Sequence, residues 1–377
     1  MGELSRAPVP QKVRKVKSID FTFLIVVLML LAYGLIMVFS ASSASAHYLY
    51  NDAFYFIKRQ FLWALVGLAA MFVTSRINYK LYYRFAIPIL IATAVLLILV
   101  KIPGIGQVRN GARRWLGVGQ LTFQPSEIAK YALIIFLAKS LPHNQDLLKK
   151  FWTGFVPYLL VIGVVAGLVL IEPHMSGAMI IGIIGVMMLF LAGAKIWHFV
   201  VLALPAAGAV AAMIAISPYR MQRFLTFLDP FSDILGDSWQ VVQSLYAIGS
   251  GGLFGLGLGQ SRQKFLYLPE PQNDFIFSII CEELGFFGAL LVVVLFVILI
   301  WKGVKIAIHA PDSFSGMLVG GITALIGIQV LMNIAVVTSS MPATGIPLPF
   351  FSYGGTSLLF ILCGMGIILN VSRYVEK

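Results

Sequence analysis

The sequence predicts an all-α integral membrane protein that crosses the bilayer many times. Hydrophobic residues make up 59% of the 377 residues and charged residues only 11%, against about 25% charged in a typical soluble chain. Residues 313–372 contain no Asp, Glu, Lys or Arg. A stretch of that length without charge is stable only in lipid or inside a helical bundle. In lipid it must be helical, because a helix satisfies its own backbone hydrogen bonds.

Ten hydrophobic segments are long enough to be membrane-spanning helices. They lie at about 20–40, 57–75, 83–101, 124–141, 152–171, 175–193, 197–216, 275–300, 315–339 and 356–372. No change in composition separates a soluble domain from them, so we predict a single transmembrane domain over residues 1–377. The two cysteines lie within predicted spans and the five histidines have no metal-ligand spacing. The sequence therefore predicts no disulfide framework and leaves the metal content unknown.

The basic residues orient the chain in the membrane. Of its 27 Lys and Arg residues, 16 fall in the tail 1–19, in alternate loops and after the last span. The positive-inside bias places these segments, and with them both termini, in the cytoplasm. A nucleic-acid-binding surface would need basic and aromatic residues clustered on a soluble face, and the sequence has no such cluster. The net charge of +12 therefore reflects membrane topology.

Two long segments interrupt the short connections, and both are predicted to lie outside the cell. One is 102–123; the other is 217–274, a large extracytoplasmic loop between the seventh and eighth helices. Long ordered loops usually carry function. We therefore expect any chemistry on the outer face.

The first outer loop carries Arg109, Arg113 and Arg114, followed at once by Trp115. Arginines on this side go against the positive-inside bias. They could form an interfacial belt that contacts anionic lipid headgroups, or they could recognise a phosphate or diphosphate through the bidentate guanidinium fork.

The segment "FQPSEIAK" (123–130) predicts the start of a helix, because Pro125 suits the first turn. Glu127 and Lys130 then lie three residues apart on one face. One interpretation is an ion pair that stabilises two charges within a span. The other is a pair that lines a polar cavity, since charges inside a membrane protein normally face the bundle interior. The two are compatible.

A glycine-rich segment and a segment rich in proline and glycine also stand out. "GSGGLFGLGLG" (249–259) resembles a dinucleotide fingerprint, but it follows no predicted strand, so we expect a re-entrant or loop segment. "GIPLPFFSYGGTS" (345–357) cannot form a regular helix, and it carries hydroxyls such as Ser352. Irregular backbone at membrane depth must be buried or line a wet cavity, so we expect a structural turn that could also form a wall of the site.

Asp274 lies at the predicted start of the eighth span, with Glu282 and Glu283 about two turns further along. The simplest role for Asp274 is to cap this helix by accepting backbone N–H groups. Alternatively, a carboxylate at the edge of a cavity, backed by further carboxylates, can accept a proton in catalysis. The residues alone leave both roles open, and they do not show whether Glu282 or Glu283 faces the cavity.

Five segments together resemble the SEDS family of bacterial cell-envelope proteins (FtsW, RodA and SpoVE). They are "NGARRWL", "FQPSEIAK", "QSLYAIGSGGLFGLGLGQS", "YLPEPQNDFIFSIICEELG" and "PATGIPLPFFSYGGTS", in family order. "GLGLGQS" and "YLPEPQNDF" are more similar to the FtsW and SpoVE branch than to RodA. One departure is "PHMSG", which places His174 where the family often has Asp. The role of that Asp is therefore open in this chain.

The resemblance implies a multi-pass enzyme of the bacterial cytoplasmic membrane, a peptidoglycan glycosyltransferase that polymerises lipid II during division, sporulation or elongation. Asp274 would be the general base and Arg114, with Arg109, would compensate the charge of the leaving diphosphate. The other residues implied to contact substrate or shape its cavity are Trp115, Glu127, Lys130, Gln243 and Ser352. A divalent cation, Mg²⁺ or Mn²⁺, could share the charge of the diphosphate. A class B penicillin-binding protein, a transpeptidase, is the expected partner, together with membrane lipids.

Two other functions fit the same sequence. A lipid II flippase or other transporter also has many spans with charges inside the membrane, and a non-catalytic scaffold could recruit the transpeptidase. The position of the polar residues distinguishes a flippase from a polymerase, because a flippase needs polar residues along the whole path across the bilayer.

Overall fold

The computed structural model describes residues 18–375 except 110, 119–120, 173, 235 and 237. This part of the chain forms thirteen helices and three short strands. The helices are α1 Phe21–Tyr50, α2 Tyr55–Arg76, α3 Lys80–Leu99, α4 Pro125–Ser140, α5 Gln145–Leu148, α6 Val156–Ile171, α7 Met175–Leu191, α8 Ile196–Ile216, α9 Pro218–Leu228, α10 Trp239–Ser250, α11 Ile276–Ile308, α12 Ser313–Val337 and α13 Gly355–Ser372. A 3₁₀ turn, Pro142–Asn144, precedes α5, and a π-helical turn, Phe151–Phe155, precedes α6.

Ten of these helices coincide with the ten predicted spans. Within the described residues, eight are long and apolar enough to cross a membrane, counting α6 together with its π-helical turn. Helix α7, of 17 residues, is a shorter apolar helix. Helix α4 has 16 residues, carries three charges and is buried along most of its length. The prediction of an all-α polytopic membrane protein is confirmed.

Contacts at the predicted cytoplasmic side join helix ends that are distant in sequence. Asp20 caps the start of α1 by accepting from the Phe23 N–H at 3.0 Å, and its carboxylate pairs with Lys302 of α11 at 3.2 Å. The hydroxyl of Tyr79, just before α3, donates to Asp312 at the start of α12 at 2.6 Å. These contacts agree with an alternating path through the membrane.

Small residues bring α2 and α13 together. A Cβ added to Gly366 would collide with the Thr74 hydroxyl and the Met71 carbonyl oxygen. A Cβ on Gly67 would lie 2.5 Å from a methyl carbon of Leu362. Lipid is as apolar as the helix side chains, so close backbone approach at small residues is a main source of helix association.

The segment 102–123, predicted only as a loop, forms a small antiparallel sheet. Strands β1 Gly106–Arg109, β2 Ala112–Val118 and β3 Leu121–Phe123 lie in the order β1-β2-β3. Neighbouring side chains on a strand point to opposite faces. Arg113 donates to the Lys101 carbonyl oxygen at 3.2 Å, whereas Arg114 points to the site described below.

Helix α11 is broken at Gly285, which has φ 64° and ψ −163°. The segment 251–257 satisfies backbone groups that this break leaves without helical partners. The N–H of Phe286 donates to the Gly252 carbonyl oxygen and the N–H of Leu256 donates to the Glu282 carbonyl oxygen, both at 2.9 Å. The break lies about 14 Å below the start of α11 at 1.5 Å per residue. The segment 251–257 is therefore re-entrant, and the region 217–274 contains α9, α10 and this turn.

Candidate active site

Two adjacent cavities meet at Asp274. Their volumes are about 340 Å³ and about 680 Å³. Four residues line both of them: Arg114, His174, Asp274 and Gly345. They come from four separate segments: β2, the turn before α7, the chain preceding α11 and the loop between α12 and α13.

The two cavities differ in chemical character. Polar and aromatic side chains line much of the smaller one, including Trp115, Gln124, Glu127, Asn273, Ser352, Tyr353, Thr356 and Ser357. Apolar side chains from α6, α7 and α8 line much of the larger one, including Leu170, Met175, Met179, Val210 and Ile214. Asp274 thus lies where a mixed, more polar chamber meets a mainly apolar groove.

The backbone of Asp274 is fixed by Asn333 of α12. The amide nitrogen of Asn333 donates to the Asp274 carbonyl oxygen at 2.7 Å and to the Ile346 carbonyl oxygen at 2.8 Å. Gly345 lies so close that a Cβ there would be 3.0 Å from Oδ2 of Asp274. One buried side chain therefore ties the acid to the irregular loop that forms the opposite wall.

Ser352 makes a second link between these two segments. Its hydroxyl donates to the Asn273 carbonyl oxygen at 2.7 Å and accepts from the N–H of Leu348 at 2.7 Å. Gln60 of α2 supports this loop from behind, donating to the Ser352 carbonyl oxygen at 3.3 Å and accepting from the N–H of Gly354 at 3.2 Å. The structure therefore places Ser352 at the site, where it anchors the chain next to Asp274.

The electrostatic surroundings of Asp274 favour a proton acceptor that works near neutral pH. Burial, and then the Glu270 carboxylate, raise the pKa of Asp274 to about 6, while Arg223 acts in the opposite direction. Asp274 does not cap α11, the simplest role that its position in the sequence allows, because Phe275 occupies the cap position.

Two arginines flank the acid. Arg114 donates through Nε to the Glu172 carbonyl oxygen at 3.1 Å, and Arg223 of α9 donates to the Ala343 carbonyl oxygen at 2.7 Å. Both line the larger cavity.

The carboxylate of Glu172 is buried without a hydrogen-bond partner among the described residues, and burial raises its pKa to about 8 despite the charges of Lys101 and Arg114.

Glu127 and Lys130 form the ion pair that their spacing predicts, with 2.8 Å between Lys130 Nζ and Glu127 Oε1. Both side chains are buried. Glu127 also lines the smaller cavity. The pair therefore stabilises two charges and also forms part of the cavity wall, so the two interpretations hold together.

Other predicted residues lie elsewhere. Glu282 and Glu283 are buried against the re-entrant region: Glu282 accepts from the N–H of Arg262 at 2.8 Å, and Glu283 pairs with Lys264 at 3.0 Å. Neither they nor Gln243, which is buried on α10, are among the described residues that line the two cavities. Arg109 ends β1, and its side chain lies outside the described residues.

Several buried side-chain oxygens around Asp274 have no protein partner among the described residues. They belong to Gln272, Asn273, Asn333 and Thr344. Buried polar atoms in native proteins are nearly always satisfied by protein, water or ligand. Asn273 and Thr344 line the cavities, and their unsatisfied oxygens indicate a site that binds polar groups.

The carboxylates of the described residues do not gather into a metal-binding set. Groups of three or more His, Cys, Asp or Glu suitable for a metal ion are absent among them, and Glu127 is already paired with Lys130. The site therefore does not fit a cation held mainly by protein ligands.

Glu172 and Arg223 were not predicted as site residues from the sequence. Glu172 lies in the turn between α6 and α7, and its one signal in the sequence is that an acidic residue stands between two apolar spans. Arg223 lies on α9, whose polar and apolar residues alternate at the helical spacing that is typical of a surface helix. The amphipathic pattern of α9 is therefore the signal in the sequence that points to Arg223.

This arrangement defines a polytopic membrane protein with a charged cavity at the outer end of its helical bundle. A model for the FtsW/RodA/SpoVE family, described as "Cell cycle protein", matches residues 21–377. The chain belongs to this family.

Its relatives match along nearly their full length. The chain is 47% identical to "Stage V sporulation protein E" of Bacillus subtilis (strain 168), over 96% of this chain and 98% of that protein. It is 42% identical to "Probable peptidoglycan glycosyltransferase FtsW" of Geobacter sp. (strain M18), over 95% and 98% respectively.

Solved structures share the fold. One, described as "Structural coordination of polymerization and crosslinking by a peptidoglycan synthase complex", has a chain that matches with a TM-score of 0.79 and 30% identity, covering 94% of this chain and 98% of that chain. The rod shape determining protein RodA of Thermus thermophilus matches with a TM-score of 0.68 and 26% identity, covering 95% and 98%.

Proposed function

We propose that this protein is a peptidoglycan glycosyltransferase that polymerises lipid II at the outer face of the bacterial cytoplasmic membrane. Family membership and the curated relatives named as peptidoglycan glycosyltransferases support the activity. The observation that carries the mechanism is the position of Asp274, at the junction of a more polar cavity and a mainly apolar one. Lipid II has the same two-part character, with a polar disaccharide-pentapeptide joined through a diphosphate to a polyprenyl chain.

In this mechanism Asp274 is the general base. It removes the proton from the 4-hydroxyl of the acceptor's N-acetylglucosamine, whose oxygen attacks C1 of the donor's N-acetylmuramic acid. The new glycosidic bond forms as the bond between C1 and the diphosphate oxygen breaks, and undecaprenyl diphosphate leaves. A pKa of about 6 leaves most of the carboxylate ionised at neutral pH and close to the working range that suits a general base.

The arginines supply the charge compensation that the leaving group needs. The diphosphate gains negative charge as the bond to C1 breaks, and preorganised donors stabilise such charge strongly in a site that excludes water. Arg114 lines both cavities and Arg223 lines the larger one. Each is held through a backbone carbonyl oxygen, so its position is set before substrate arrives.

The larger cavity suits the polyprenyl chain. Leu170, Met179, Val210 and Ile214 give it apolar walls contributed by α6, α7 and α8. Many side chains on α8 are exposed, as expected of a helix that faces lipid. A lipid-linked substrate can therefore keep its chain in the groove and its diphosphate beside the arginines.

Two further parts of this function are proposals. One of the similar structures is described as a complex that coordinates polymerization and crosslinking, and we propose a class B penicillin-binding protein as the crosslinking partner here. We also propose that Mg²⁺ or Mn²⁺ assists the diphosphate. Its oxygen ligands would come mainly from the diphosphate and water, as is usual for Mg²⁺ at phosphate sites.

The test is the activity of Asp274→Ala in purified protein with its transpeptidase and labelled lipid II. We expect glycan polymerisation to fall by about 10²- to 10⁴-fold, the usual contribution of a general base, with folding and complex formation intact. Asp52→Ala is the matched control, because Asp52 is an acid between α1 and α2 that pairs with Lys58 at 2.8 Å, away from the cavities. Full polymerisation by the Asp274 variant would disprove the assignment of the base.

A further inference from the structure

His174 lies at the boundary of the two cavities. It precedes the first residue of α7 and lines both cavities together with Arg114 and Asp274. A histidine in this position could act as a base, a cation or a neutral donor. Its hydrogen bonds and its neighbours distinguish these roles.

The hydrogen bonds of the ring define its tautomer. The amide nitrogen of Gln124 lies 3.0 Å from Nδ1, and the hydroxyl of Ser126 lies 3.1 Å from the same atom. An amide nitrogen only donates. Nδ1 therefore accepts, and in a neutral imidazole the proton is on Nε2.

The surroundings keep this imidazole neutral. Burial lowers the pKa of His174 to about 4, and the charges of Arg114 on β2 and Lys130 on α4 act in the same direction, while Glu127 on α4 opposes them. Asp274, which lines the same cavities, is an acid whose own pKa of about 6 leaves it ionised at neutral pH. The ring is thus a neutral hydrogen-bond donor over the whole physiological range of pH.

The ring is held against the first turn of α7. A Cβ added to Gly177 would lie 2.6 Å from Nδ1 and 2.7 Å from Cε1 of His174. Only glycine leaves room for the ring in this position. With Nδ1 engaged by Gln124 and Ser126 on the neighbouring segment, Nε2–H is the polar group of the ring that remains for a ligand in the cavities.

We propose that His174 donates its Nε2–H to an oxygen of the lipid-linked diphosphate, beside Arg114. This inference rests on the proposed function and assigns a substrate contact within the same site. An anionic oxygen is the acceptor that suits the place, because Arg114 supplies a positive charge and the first-turn residues Met175 and Ser176 of α7 line the larger cavity. The N-terminus of a helix favours negative charge.

The experiment measures the binding of undecaprenyl diphosphate, which lacks the sugar, and of lipid II to the purified full-length protein by thermal-shift titration. A hydrogen bond to a charged acceptor corresponds to about ten- to a hundredfold in affinity. We expect His174→Phe to weaken the binding of both ligands by about tenfold or more. His174→Gln, which keeps an N–H donor at a similar reach, should stay within about threefold of the wild type.

Gly177→Ala provides an independent variant, because it displaces the ring without changing its chemistry. Its affinity for both ligands should fall as in His174→Phe. Gly182→Ala is the matched control on the same helix, since a Cβ there meets no atom within 4 Å, and it should bind as the wild type does.

Three outcomes would overturn the inference. The first is unchanged binding of undecaprenyl diphosphate by His174→Phe. The second is a loss confined to lipid II, which would assign the contact to the sugar or peptide. The third is unchanged binding by Gly177→Ala. Binding by the wild type without polymerisation of lipid II would refute the proposed function instead, so the two failures are distinguishable.

Discussion

Replacing Asn333 with alanine tests whether the carboxylate of Asp274 is positioned by its backbone. Asn333 is fully buried and donates to the carbonyl oxygens of Asp274 and Ile346. These two bonds join the chain before α11 to the loop after α12. Asn333→Ala removes both bonds without touching the carboxylate or the cavity-lining arginines.

The size of the effect follows from these two bonds. A buried group left without its partner costs about 1–3 kcal/mol, although hydrogen bonds inside membrane proteins average only about 0.6 kcal/mol. We therefore expect the free energy of unfolding to fall by about 1–3 kcal/mol. A displacement of about 1 Å at a reacting group costs up to about 10²-fold in rate, so kcat should fall by about ten- to a hundredfold.

Asn370→Ala is the matched control. Asn370 of α13 is equally buried, donates to the Ser75 carbonyl oxygen at 2.8 Å and accepts from the N–H of Tyr79 at 3.2 Å, at the opposite side of the membrane. It should lose similar stability but keep its kcat per folded complex. The assay is lipid II polymerisation by purified complexes, normalised to folded protein by size-exclusion chromatography.

Two results would refute this reasoning. If Asn333→Ala lost stability but kept the wild-type kcat, the link to Asp274 would be structural only. If Asn370→Ala lost as much kcat as Asn333→Ala, the assay would be reporting general unfolding.

Three other predictions concern the same site. Below about pH 6 the polymerisation rate should fall about tenfold per pH unit as Asp274 gains its proton. Glu270→Gln should move this acidic limb of the pH–rate profile to lower pH, because the Glu270 carboxylate raises the pKa of Asp274. An unshifted acidic limb would contradict this prediction. Gly345→Ala should lower kcat by about tenfold with little change in Tm, because its Cβ would lie 3.0 Å from Oδ2. Lys130→Met should cost about 3–5 kcal/mol by leaving the Glu127 carboxylate buried and unpaired. The double variant with Glu127→Gln should recover stability in a thermal-unfolding assay, and no recovery would argue against the pair.

The membrane topology could be predicted from the sequence because it depends on local composition. Each predicted span coincides with a helix, since about twenty apolar residues in lipid have few alternatives to an α-helix. The ion pair of Glu127 and Lys130 was equally accessible, because residues three apart on a helix are neighbours whatever surrounds them.

The surroundings of the acids could not be read in this way. Asp274, Glu282 and Glu283 lie within ten residues of one another, and at about 100° per residue Asp274 and Glu282 would lie on roughly one side of a helix. The break at Gly285 and the re-entrant turn 251–257 decide otherwise, since they enclose Glu282 and Glu283 in a network with Lys264. Such contacts depend on a chain segment about twenty residues upstream, which no local pattern encodes.

The site itself depends on long-range contacts for the same reason. Gln60 of α2 supports the loop that contains Ser352, and Asn333 joins that loop to Asp274. Each of these polar residues alone looks like an ordinary hydrogen-bonding residue within a span. Only the arrangement of the helices shows that both support the backbone around Asp274.

The depth of the cavities bears on the choice between polymerisation and transport. The deepest described lining residue of the smaller cavity on α13 is Ile361, about 9 Å below the start of that helix at 1.5 Å per residue. On α8, Val210 of the larger cavity lies at a similar depth, about 9 Å from the outer end. A route for a disaccharide-pentapeptide would need polar lining through about 30 Å of hydrocarbon, so the described cavities serve chemistry at the outer face. Transbilayer movement of lipid II in liposomes containing Asp274→Ala, without polymerisation, would contradict this conclusion.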